Sequence, residues 1–344
     1  MTSFLPVGKL PHQLLEKIIQ AAPTNHPRVL MGPGVGLDCA VLDNGKTCLI
    51  LKTEPITFAC EDIGWYAVQI AANDIATTGA VPSWAMFSVL LPEGSTTEQN
   101  TFELAEQLAA ACQAADITVI GGHTEITHNL DRPIIVTTLV GEIEKEHLIT
   151  PDQACPGDVI LLTKGVPIEA IALLAREFPD LLEKELTDNE LAAARNYLYE
   201  PGLSVLKEAQ IALQAGKVTA MHDPTEGGVA TALWELASAC QQTLLVDPKR
   251  IPVFPLAEKI CRIFDLDPLG TIASGSLLLA VDPSSKNDIL AALTAAGIPA
   301  AEIGAVVAGS PQVLTPGGKT VTSLPRFDRD EIGRVYEKFA LKTD

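Results

Sequence analysis

The sequence predicts a two-domain α/β protein. Its 344 residues are enough for two domains of roughly 100–200 residues each. Short apolar, strand-like runs alternate with segments of helical periodicity over most of the chain. The segment LITPDQACPGD contains Pro151, Pro156 and Gly157, which are typical of a linker. We therefore expect an N-terminal domain over residues 1–150 and a C-terminal α/β domain over residues 151–344.

In the first half, five apolar runs predict strands and two longer patterns predict helices. The helix Trp65–Thr78 should end at Gly79. The helix Thr97–Ala115 should begin after an N-cap at Ser95 or Thr96. The predicted strands are Cys39–Leu42, Cys48–Leu51, Trp84–Leu91, Thr118–Ile120 and Pro133–Gly141.

The second half is predicted to contain three strands and six helices. A strand at Val159–Leu162 opens it, and the runs Ser276–Val281 and Ile303–Ala308 supply two more. The predicted helices are Ile168–Phe178, Asn189–Leu198, Ser204–Ala215, Val229–Ala239, Pro255–Phe264 and Lys286–Ala296. No internal repeat of solenoid or propeller length is present, so the second half should form one α/β layer.

Composition narrows the possible partners. The net charge of −19 leaves no basic stripe to neutralise a nucleic acid backbone. An anionic nucleotide would have to bind through Mg²⁺ and backbone N–H groups instead. Seven scattered cysteines suit a reducing cytosol, and no signal peptide or membrane-spanning run is visible. We expect a cytoplasmic protein without nucleic acid or membrane partners.

Three isolated acids suggest a metal site. Asp74 is the sole charge between positions 63 and 92, and Asp38 and Glu125 are isolated in the same way. Burying an unpaired carboxylate costs several kcal/mol or more, so such a group is neutralised, paired or bound to a metal. All three acids lie near glycines, which allow backbone N–H groups to approach a phosphate. The pattern predicts a divalent-metal and phosphate site.

The first glycine-rich segment is MGPGVGLD, which precedes Asp38. Gly34 and Gly36 could bring backbone N–H groups to phosphate oxygens. The segment is neither a Walker loop nor a Rossmann fingerprint, because it lacks the Gly-Lys-Ser/Thr end and no helix follows. A tight turn before a strand is the alternative interpretation.

The segment GGHTE follows an apolar strand, where ligand sites of α/β proteins usually lie. Glu125 is predicted to bind the metal, whereas His123 and Thr124 would face phosphate or substrate beside Gly121 and Gly122. The alternative is a solvated turn.

The segment HDPTEGG precedes an amphipathic helix. Gly227 and Gly228 at the helix start would offer free N–H donors to an anion, with Asp223 and Thr225 beside them. Plain helix capping is the alternative interpretation.

Two further residues are candidates. Glu54 in LKTEPIT should end a strand that Pro55 stops, and it is either a metal ligand or an exposed rim residue. Lys164 follows the strand that opens the second half, where a lysine can neutralise a phosphate, although a lone loop lysine is usually solvated.

Taken in order, these motifs resemble the aminoimidazole ribonucleotide synthetase superfamily. That superfamily includes thiamine-monophosphate kinase, selenophosphate synthetase and the hydrogenase-maturation carbamoyl dehydratase. The matching segments are GVGLDCAV, KTEPIT, NDIATTGA, GGHTE, DPTEGGVATALWE and SGSLLLAV. The resemblance covers nearly the whole chain and is nearest to the carbamoyl dehydratase-like, synthetase-related branch.

The resemblance implies a homodimer whose N-terminal domains share a β-barrel, with ATP and Mg²⁺ in a cleft near the interface. By position, the metal ligands would be Asp38, Asp74 and Glu125, with Glu54 as a fourth. Gly34, Gly36, Gly227 and Gly228 would lie beside the phosphates, supported by Asn73 and Asp223. His123, Asp223 and Lys164 are the catalytic candidates, and the cofactor-binding set also includes Gly121, Gly122, Thr124 and Thr225.

Departures from the family pattern leave three functions open. Leu37 replaces the first acid of a pair, Glu54 replaces an aspartate, and His123 stands where relatives often have an acid. The sequence ends in EKFALKTD, and its last cysteine is Cys261, so the terminal thiol of the carbamoyl dehydratase is missing. The leading hypothesis is an ATP-dependent enzyme that phosphorylates an oxygen of a small metabolite or carboxamide-like group. The alternatives are a nucleotide-binding scaffold for maturation proteins and thiamine-monophosphate kinase.

Overall fold

The computed structural model consists of two mixed β-sheets with helices packed around them. It describes residues 5, 8, 10–34, 36–317, 320–327 and 329–339, so residues 340–344 of the terminal segment EKFALKTD noted above lie outside it. The helices are α1 (His12–Ala21), α2 (Ile63–Thr77), α3 (Glu98–Ala114), α4 (Glu169–Glu177), α5 (Pro179–Leu182), α6 (Asp188–Asn196), α7 (Leu206–Ala215), α8 (Gly228–Cys240), α9 (Pro255–Phe264), α10 (Lys286–Ala295) and α11 (Ile332–Phe339).

The strands of the first sheet are β1 (Val29–Met31), β2 (Ala40–Asn44), β3 (Thr47–Ile56), β4 (Val81–Pro92), β5 (Thr118–Thr127) and β6 (Ile134–Glu144). They lie in the order β1-β2-β3-β6-β4-β5. Neighbouring strands are antiparallel except β4 and β5, which are parallel. Within the described residues of one chain the sheet does not close into a barrel, so the fold class is confirmed only as mixed α/β.

The strands of the second sheet are β7 (Val159–Thr163), β8 (Val218–His222), β9 (Thr243–Val246), β10 (Leu278–Val281), β11 (Ala300–Val307), β12 (Gln312–Gly317) and β13 (Thr320–Ser323). Their order is β13-β12-β9-β11-β7-β10-β8, with β12 and β9 parallel and the other pairs antiparallel. β8 lies at the edge of the second sheet, and His222 at its end contacts Asp38, which precedes β2 of the first sheet.

Helix α2 is the central element of the first half. Every residue of α2 apart from Trp65 is buried, as expected of a helix that is apolar on all sides. Gly141 of β6 allows the close approach, because a Cβ atom there would lie 2.6 Å from the Ile75 side chain. Helix α2 therefore carries Asp74 into the interior, between the first sheet and β8.

Most predicted helices are present within about three residues of their predicted bounds, and α9 has the bounds that the sequence predicted. The N-cap of α3 is a correction: it is Thr97, whose hydroxyl accepts from the Asn100 N–H, rather than Ser95 or Thr96. The capping box there pairs Thr97 with an asparagine in place of the usual acid. Strands β1, β8, β9, β12 and β13 were not predicted, because their apolar runs are short.

One predicted turn and one predicted strand end lie inside strands. GGHTE lies inside β5, where parallel pairing with β4 satisfies its backbone and Gly122 packs against the Phe87 carbonyl. β3 continues through Pro55 to Ile56 instead of stopping. Beyond Leu51, β2 no longer pairs with β3, so one side of β3 is open and a proline can be accommodated.

Asn73 joins the two halves of the chain. Its Nδ2 donates to the Leu203 carbonyl at 2.8 Å, and its Oδ1 accepts from the Val205 N–H at 2.9 Å. Because Asn73 is fully buried, both backbone groups depend on it. The amide predicted to support a nucleotide thus fixes α2 against the segment that precedes α7.

We expect Asn73→Ala to lower the free energy of unfolding by about 2–4 kcal/mol, because two buried backbone groups lose their partners. Urea denaturation monitored by circular dichroism measures this. Asn189→Ala, on the exposed surface of α6, is the matched control and should change the value by less than about 0.5 kcal/mol. Equal stability of the two variants would show that Asn73 is not the link between the halves.

Candidate functional site

Charged side chains from both halves of the chain meet beside α2. We call this group the carboxylate cluster. It comprises Asp38 before β2, Lys52 and Glu54 on β3, Asp74 on α2, His222 and Asp223 at the end of β8, and Glu235 on α8. The cluster therefore brings together two of the three isolated acids that the sequence singled out, Asp38 and Asp74.

Lys52 neutralises one side of the carboxylate cluster. Its Nζ lies 3.0 Å from Glu54 Oε2 and 3.1 Å from Asp74 Oδ2. Burial by itself lowers the pKa of Lys52, but attraction to Asp74 and Glu54 outweighs it and holds the pKa well above the usual value. The ammonium therefore stays charged. Glu54, predicted as a metal ligand or a rim residue, contributes here as a partner of this lysine.

His222 bridges the other side of the cluster. Its Nδ1 lies 2.7 Å from Asp38 Oδ2, and its Nε2 lies 3.0 Å from Glu235 Oε2. Burial lowers the pKa of His222, whereas Asp38 and Glu235 raise it, and the net result is a pKa well above the ordinary value. A doubly bonded imidazolium fixes the direction of the Asp38 carboxylate.

Asp223 and Asp74 have more negative charge around them than these cations offset. Asp223 is fully buried and neither of its oxygens has a hydrogen-bond partner among the described residues. Burial and the nearby Asp38 raise the pKa of Asp223 to about 8. Burial also raises the pKa of Asp74 well above its usual range, although Lys52 opposes the shift. The cluster is short of positive charge.

The donor atoms fit a divalent cation. Asp38 and Asp223 each bring a carboxylate oxygen to within 4.8 Å of the other. Carboxylate oxygens are the ligands that Mg²⁺ prefers. The unpartnered Asp223 oxygens would gain a partner, and the charge that raises the pKa of Asp74 would be offset. An Mg²⁺ ion held by Asp38, Asp74 and Asp223 therefore suits this chemistry.

The start of α8 is occupied by a side chain of the C-terminal segment. The Gly227 N–H, predicted to face phosphate, donates to Asp330 Oδ2 at 2.6 Å, and the Ile332 N–H donates to Asp330 Oδ1 at 2.8 Å. Gly227 and Gly228 both have positive φ, at 79° and 65°. Burial raises the pKa of Asp330 to about 7. The Gly227 N–H, which the sequence predicted to face a phosphate, is therefore bonded to an internal carboxylate in this structure.

A cavity of about 430 Å³ lies beside this helix start. Its lining includes Phe58, Gly227, Trp234, Arg326 and Asp330. The Arg326 guanidinium lies 5.9 Å from the centre of the Trp234 ring. The volume is that of a small-molecule site, and an aromatic face with an arginine suits a planar, anionic ligand.

The glycine-rich segment MGPGVGLD packs against α8 rather than facing solvent. A Cβ atom on Gly36, whose φ is 75°, would lie 3.1 Å from the Glu235 carbonyl. Gly34 lies against the Leu37 side chain. This packing places Asp38 next to α8. At the start of α8, the Gly228 N–H donates to the Thr225 carbonyl at 3.0 Å.

Glu125 does not join the carboxylate cluster within one chain. It lies on the edge strand β5, which is three strand spacings, or about 14 Å, from β3. His123 Nε2 lies 3.2 Å from Glu125 Oε2, and the two side chains are 68% and 49% exposed. Gly121, Gly122 and Thr124 lie on the same exposed strand.

Lys164 is buried in a structural role. Its Nζ donates to the carbonyls of Gly202 and Ser204 at 3.0 and 2.7 Å and pairs with Glu208 at 2.8 Å. Burial lowers the pKa of Lys164, against the effect of Glu208. All three protons of the ammonium have partners, so this geometry does not favour the predicted contact with phosphate.

Several site residues were not predicted. Lys52 stands two positions before Glu54 and is the cation nearest to it in sequence, which is a usable signal. Glu235 and Asp330 have no signal, because their importance depends on how α8 and the C-terminal segment pack. His222 opens the segment HDPTEGG, but its bridging role requires the tertiary structure.

The fold and the cluster define an α/β protein with a candidate metal and nucleotide site between two mixed sheets. Family models identify it further. Residues 36–143 match the N-terminal domain of AIR synthase related proteins, and residues 155–315 match the C-terminal domain. The chain belongs to the AIR synthase related protein family, as its motifs indicated.

Among curated proteins, the chain is 29% identical over 258 residues to carbamoyl dehydratase HypE of Rhizobium leguminosarum bv. viciae, covering 74% of this chain and 71% of that protein. A HypE structure in complex with ATP has a TM-score of 0.68 at 24% identity, covering 88% and 90% of the two chains. A HypE–HypF complex has a TM-score of 0.73 at 20% identity, covering 91% and 99%.

Thiamine monophosphate kinase of Aquifex aeolicus has a TM-score of 0.67 at 20% identity, covering 89% of this chain and 95% of that one. At such identities these structures show a shared fold.

Within the described residues, no helix is both long and apolar enough to cross a bilayer.

We expect Asp223→Asn to stabilise the protein, and increasingly so at higher pH. The raised native pKa of Asp223, about 8 against 3.8 when unfolded, means that its contribution to stability falls as pH rises from about 4 to 8. The amide carries no charge, so the variant should gain about 1–3 kcal/mol at pH 8 and above. Urea denaturation between pH 5 and pH 9 measures the difference.

The exposed Asp180→Asn is the control and should show no such pH-dependent gap. A constant difference between wild type and Asp223→Asn across this range would contradict the assigned environment of Asp223.

Proposed function

We propose that this chain is an ATP- and Mg²⁺-dependent enzyme that phosphorylates an oxygen of a small metabolite or carboxamide-like group. The observation that carries the proposal is the approach of Asp38 and Asp223, whose carboxylate oxygens lie within 4.8 Å of each other, beside the buried Asp74, in surroundings short of positive charge. Support for the nucleotide comes from the ATP complex of HypE. Asp38, Asp74 and Asp223 would hold Mg²⁺, which would supply positive charge to offset the charge that develops on the transferred phosphoryl group.

Five residues of the cluster have proposed tasks. Asp38, Asp74 and Asp223 hold the cation, His222 directs the Asp38 carboxylate, and Lys52 directs Asp74. The acceptor oxygen attacks the γ-phosphorus, the bond to the bridging oxygen breaks, and ADP leaves. The cavity beside Trp234 offers room for a planar part of a ligand.

Cys261, the last cysteine of the given sequence, is 1% exposed on α9, and burial raises its pKa to about 12. A thiol so buried and so weakly acidic is a poor carrier of a carbamoyl group. We therefore propose that Cys261 does not carry the substrate.

We also propose that two copies of the chain pair through β5. Every residue of β5 up to Ile126 is exposed, including Val119, Ile120 and Ile126 at 50%, 56% and 60%. Trp84 and Met86 of β4 extend the apolar face. An exposed apolar edge strand invites pairing with another strand. Pairing would place Glu125 and His123 at the interface between the two copies.

Two alternatives remain as proposals. The HypE–HypF complex favours a maturation-protein partner, and therefore a scaffold that binds nucleotide without turnover. The fold of thiamine monophosphate kinase favours a kinase. Single-turnover assays with radiolabelled ATP, with and without thiamine monophosphate, separate these functions from the leading proposal.

Asp74→Asn should weaken Mg²⁺-dependent ATP binding at least 50-fold, because the variant removes a charge from the cation site. Isothermal titration calorimetry with and without Mg²⁺ measures this. The exposed Asp180→Asn should bind like wild type. The proposed function fails if wild type binds no ATP at millimolar nucleotide, or if both variants bind equally.

Ile120→Glu should convert the protein to a monomer at micromolar concentration and reduce ATP turnover, since it places charge on the proposed dimer edge. Light scattering after size-exclusion chromatography gives the mass. Leu30→Glu, on the exposed edge strand β1, is the control and should leave the mass unchanged. If the wild-type protein is a monomer and still turns over ATP, the proposed dimer has no role in turnover.

A further inference from the structure

Glu235 belongs to the carboxylate cluster but has no task in the proposed reaction. It lies in the middle of helix α8, and its side chain is 11% exposed. Among the described residues, the groups that bring three metal-ligating atoms within 4.8 Å of one another do not include Glu235. Any effect of this carboxylate on the cation site must therefore pass through a neighbouring residue.

His222 is that neighbour. Its Nδ1 lies 2.7 Å from Asp38 Oδ2, and its Nε2, on the other side of the ring, lies 3.0 Å from Glu235 Oε2. The His222 side chain is 4% exposed, so bulk water has little access to either nitrogen. The three side chains form a continuous hydrogen-bonded chain from α8 to Asp38.

A second hydrogen bond is what holds an imidazole ring in one orientation. The χ2 torsion of histidine joins an sp³ carbon to an sp² carbon, and its preferred range is broad. A hydrogen bond at Nδ1 alone leaves χ2 room to vary, whereas a second bond at Nε2 fixes the plane of the ring. Loss of the Glu235 contact would therefore widen the range of directions open to the Asp38 carboxylate.

Helix α8 also supports the backbone next to Asp38. Gly36, two residues earlier, packs so closely that a Cβ atom on it would lie 3.1 Å from the Glu235 backbone carbonyl oxygen. Leu233 and Leu236, on either side of Glu235, are buried in the core of the second half, which resists a shift of the helix. The backbone near Asp38 and its side chain thus both depend on the same turn of α8.

We propose that Glu235 is a positioning residue of the cation site, which acts through His222 on Asp38. The assignment rests on the proposed function, because Asp38 is one of the residues that would hold Mg²⁺. Removal of a hydrogen-bonded partner of a metal ligand typically lowers metal affinity about 10–100-fold. Because Glu235 is one residue further from the cation than His222, we expect the lower end of this range.

Two substitutions separate a positioning role from an effect of charge. Glu235→Gln removes the charge but keeps an oxygen that can accept a hydrogen bond from Nε2 at the same reach. Glu235→Met has a similar length, and its sulfur is only a weak acceptor. If Glu235 contributed only negative charge, the two variants would lose the same affinity. If Glu235 orients the ring, Glu235→Gln retains most of it.

The test uses the full chain with Mn²⁺ as the probe and AMPPCP in every sample. Electron paramagnetic resonance of free Mn²⁺ gives the dissociation constant. Glu235→Met should raise it about tenfold, Glu235→Gln less than threefold, and the exposed control Glu183→Met less than twofold. Equal constants for wild type and Glu235→Met would overturn the proposal, as would an equal loss in Glu235→Met and Glu235→Gln. Should Glu235→Met fail to fold, a tenfold loss in Glu235→Gln would still overturn it.

Crystals of the metal-free proteins give a second readout, which depends on neither the cation nor the nucleotide. Wild type and Glu235→Gln should keep His222 Nδ1 within hydrogen-bond distance of Asp38 Oδ2, whereas in Glu235→Met the ring should turn or adopt two orientations. An unchanged ring and carboxylate in Glu235→Met would overturn the proposal. If wild type binds no Mn²⁺, the proposed function fails, and the crystals still decide whether Glu235 orients His222 and Asp38.

Discussion

Burial of more carboxylates than cations is the constraint on which this structure depends. Lys52 and His222 each bridge two acids, yet among the residues that the structure describes neither oxygen of Asp223 has a hydrogen-bond partner. A fold does not retain so costly an arrangement for stability, because an unpaired buried carboxylate opposes folding. Strain and unpaired charge of this kind are typical of functional sites, where a ligand supplies what the protein lacks.

The architecture explains how such a cluster can form. Helix α2 is buried on nearly all sides and carries Asp74 inward, while β8 ends the second sheet with His222 facing the first. Asn73, one residue before Asp74, fixes α2 to the second half through two backbone hydrogen bonds. The site is therefore built on rigid elements from both halves, and the position of each acid depends on the packing between them.

The sequence predicted which helices are present better than it predicted where strands end and which strands pair with each other. Isolation among apolar residues identified Asp38 and Asp74, because burial leaves a local signal in composition. The same signal identified Glu125, which lies on an exposed edge strand, since composition does not distinguish a buried surface from an unpaired one. GGHTE was predicted as a turn because glycines usually mark turns, and pairing with β4 overrides that preference.

The sequence did not predict the contacts between residues that are far apart along the chain. Asp330 accepts a hydrogen bond from the start of α8, 103 positions earlier in the chain. Lys164 forms an ion pair with Glu208, which lies on helix α7 of the second half. Neither contact leaves a local pattern. Asp330 also shows that a helix start rich in glycine can be satisfied by the chain itself, so the phosphate-binding role of Gly227 requires this carboxylate to be displaced or the phosphate to lie beside it.

The central claim is that a divalent cation completes the carboxylate cluster. The most direct test is anomalous diffraction from crystals soaked with Mn²⁺, a scattering substitute for Mg²⁺, together with AMPPCP. Our account predicts a peak at about 2.2 Å from oxygens of Asp38 and Asp74. No peak in the cluster at millimolar Mn²⁺, or a peak only at the exposed acids Glu144 and Glu146, would contradict it.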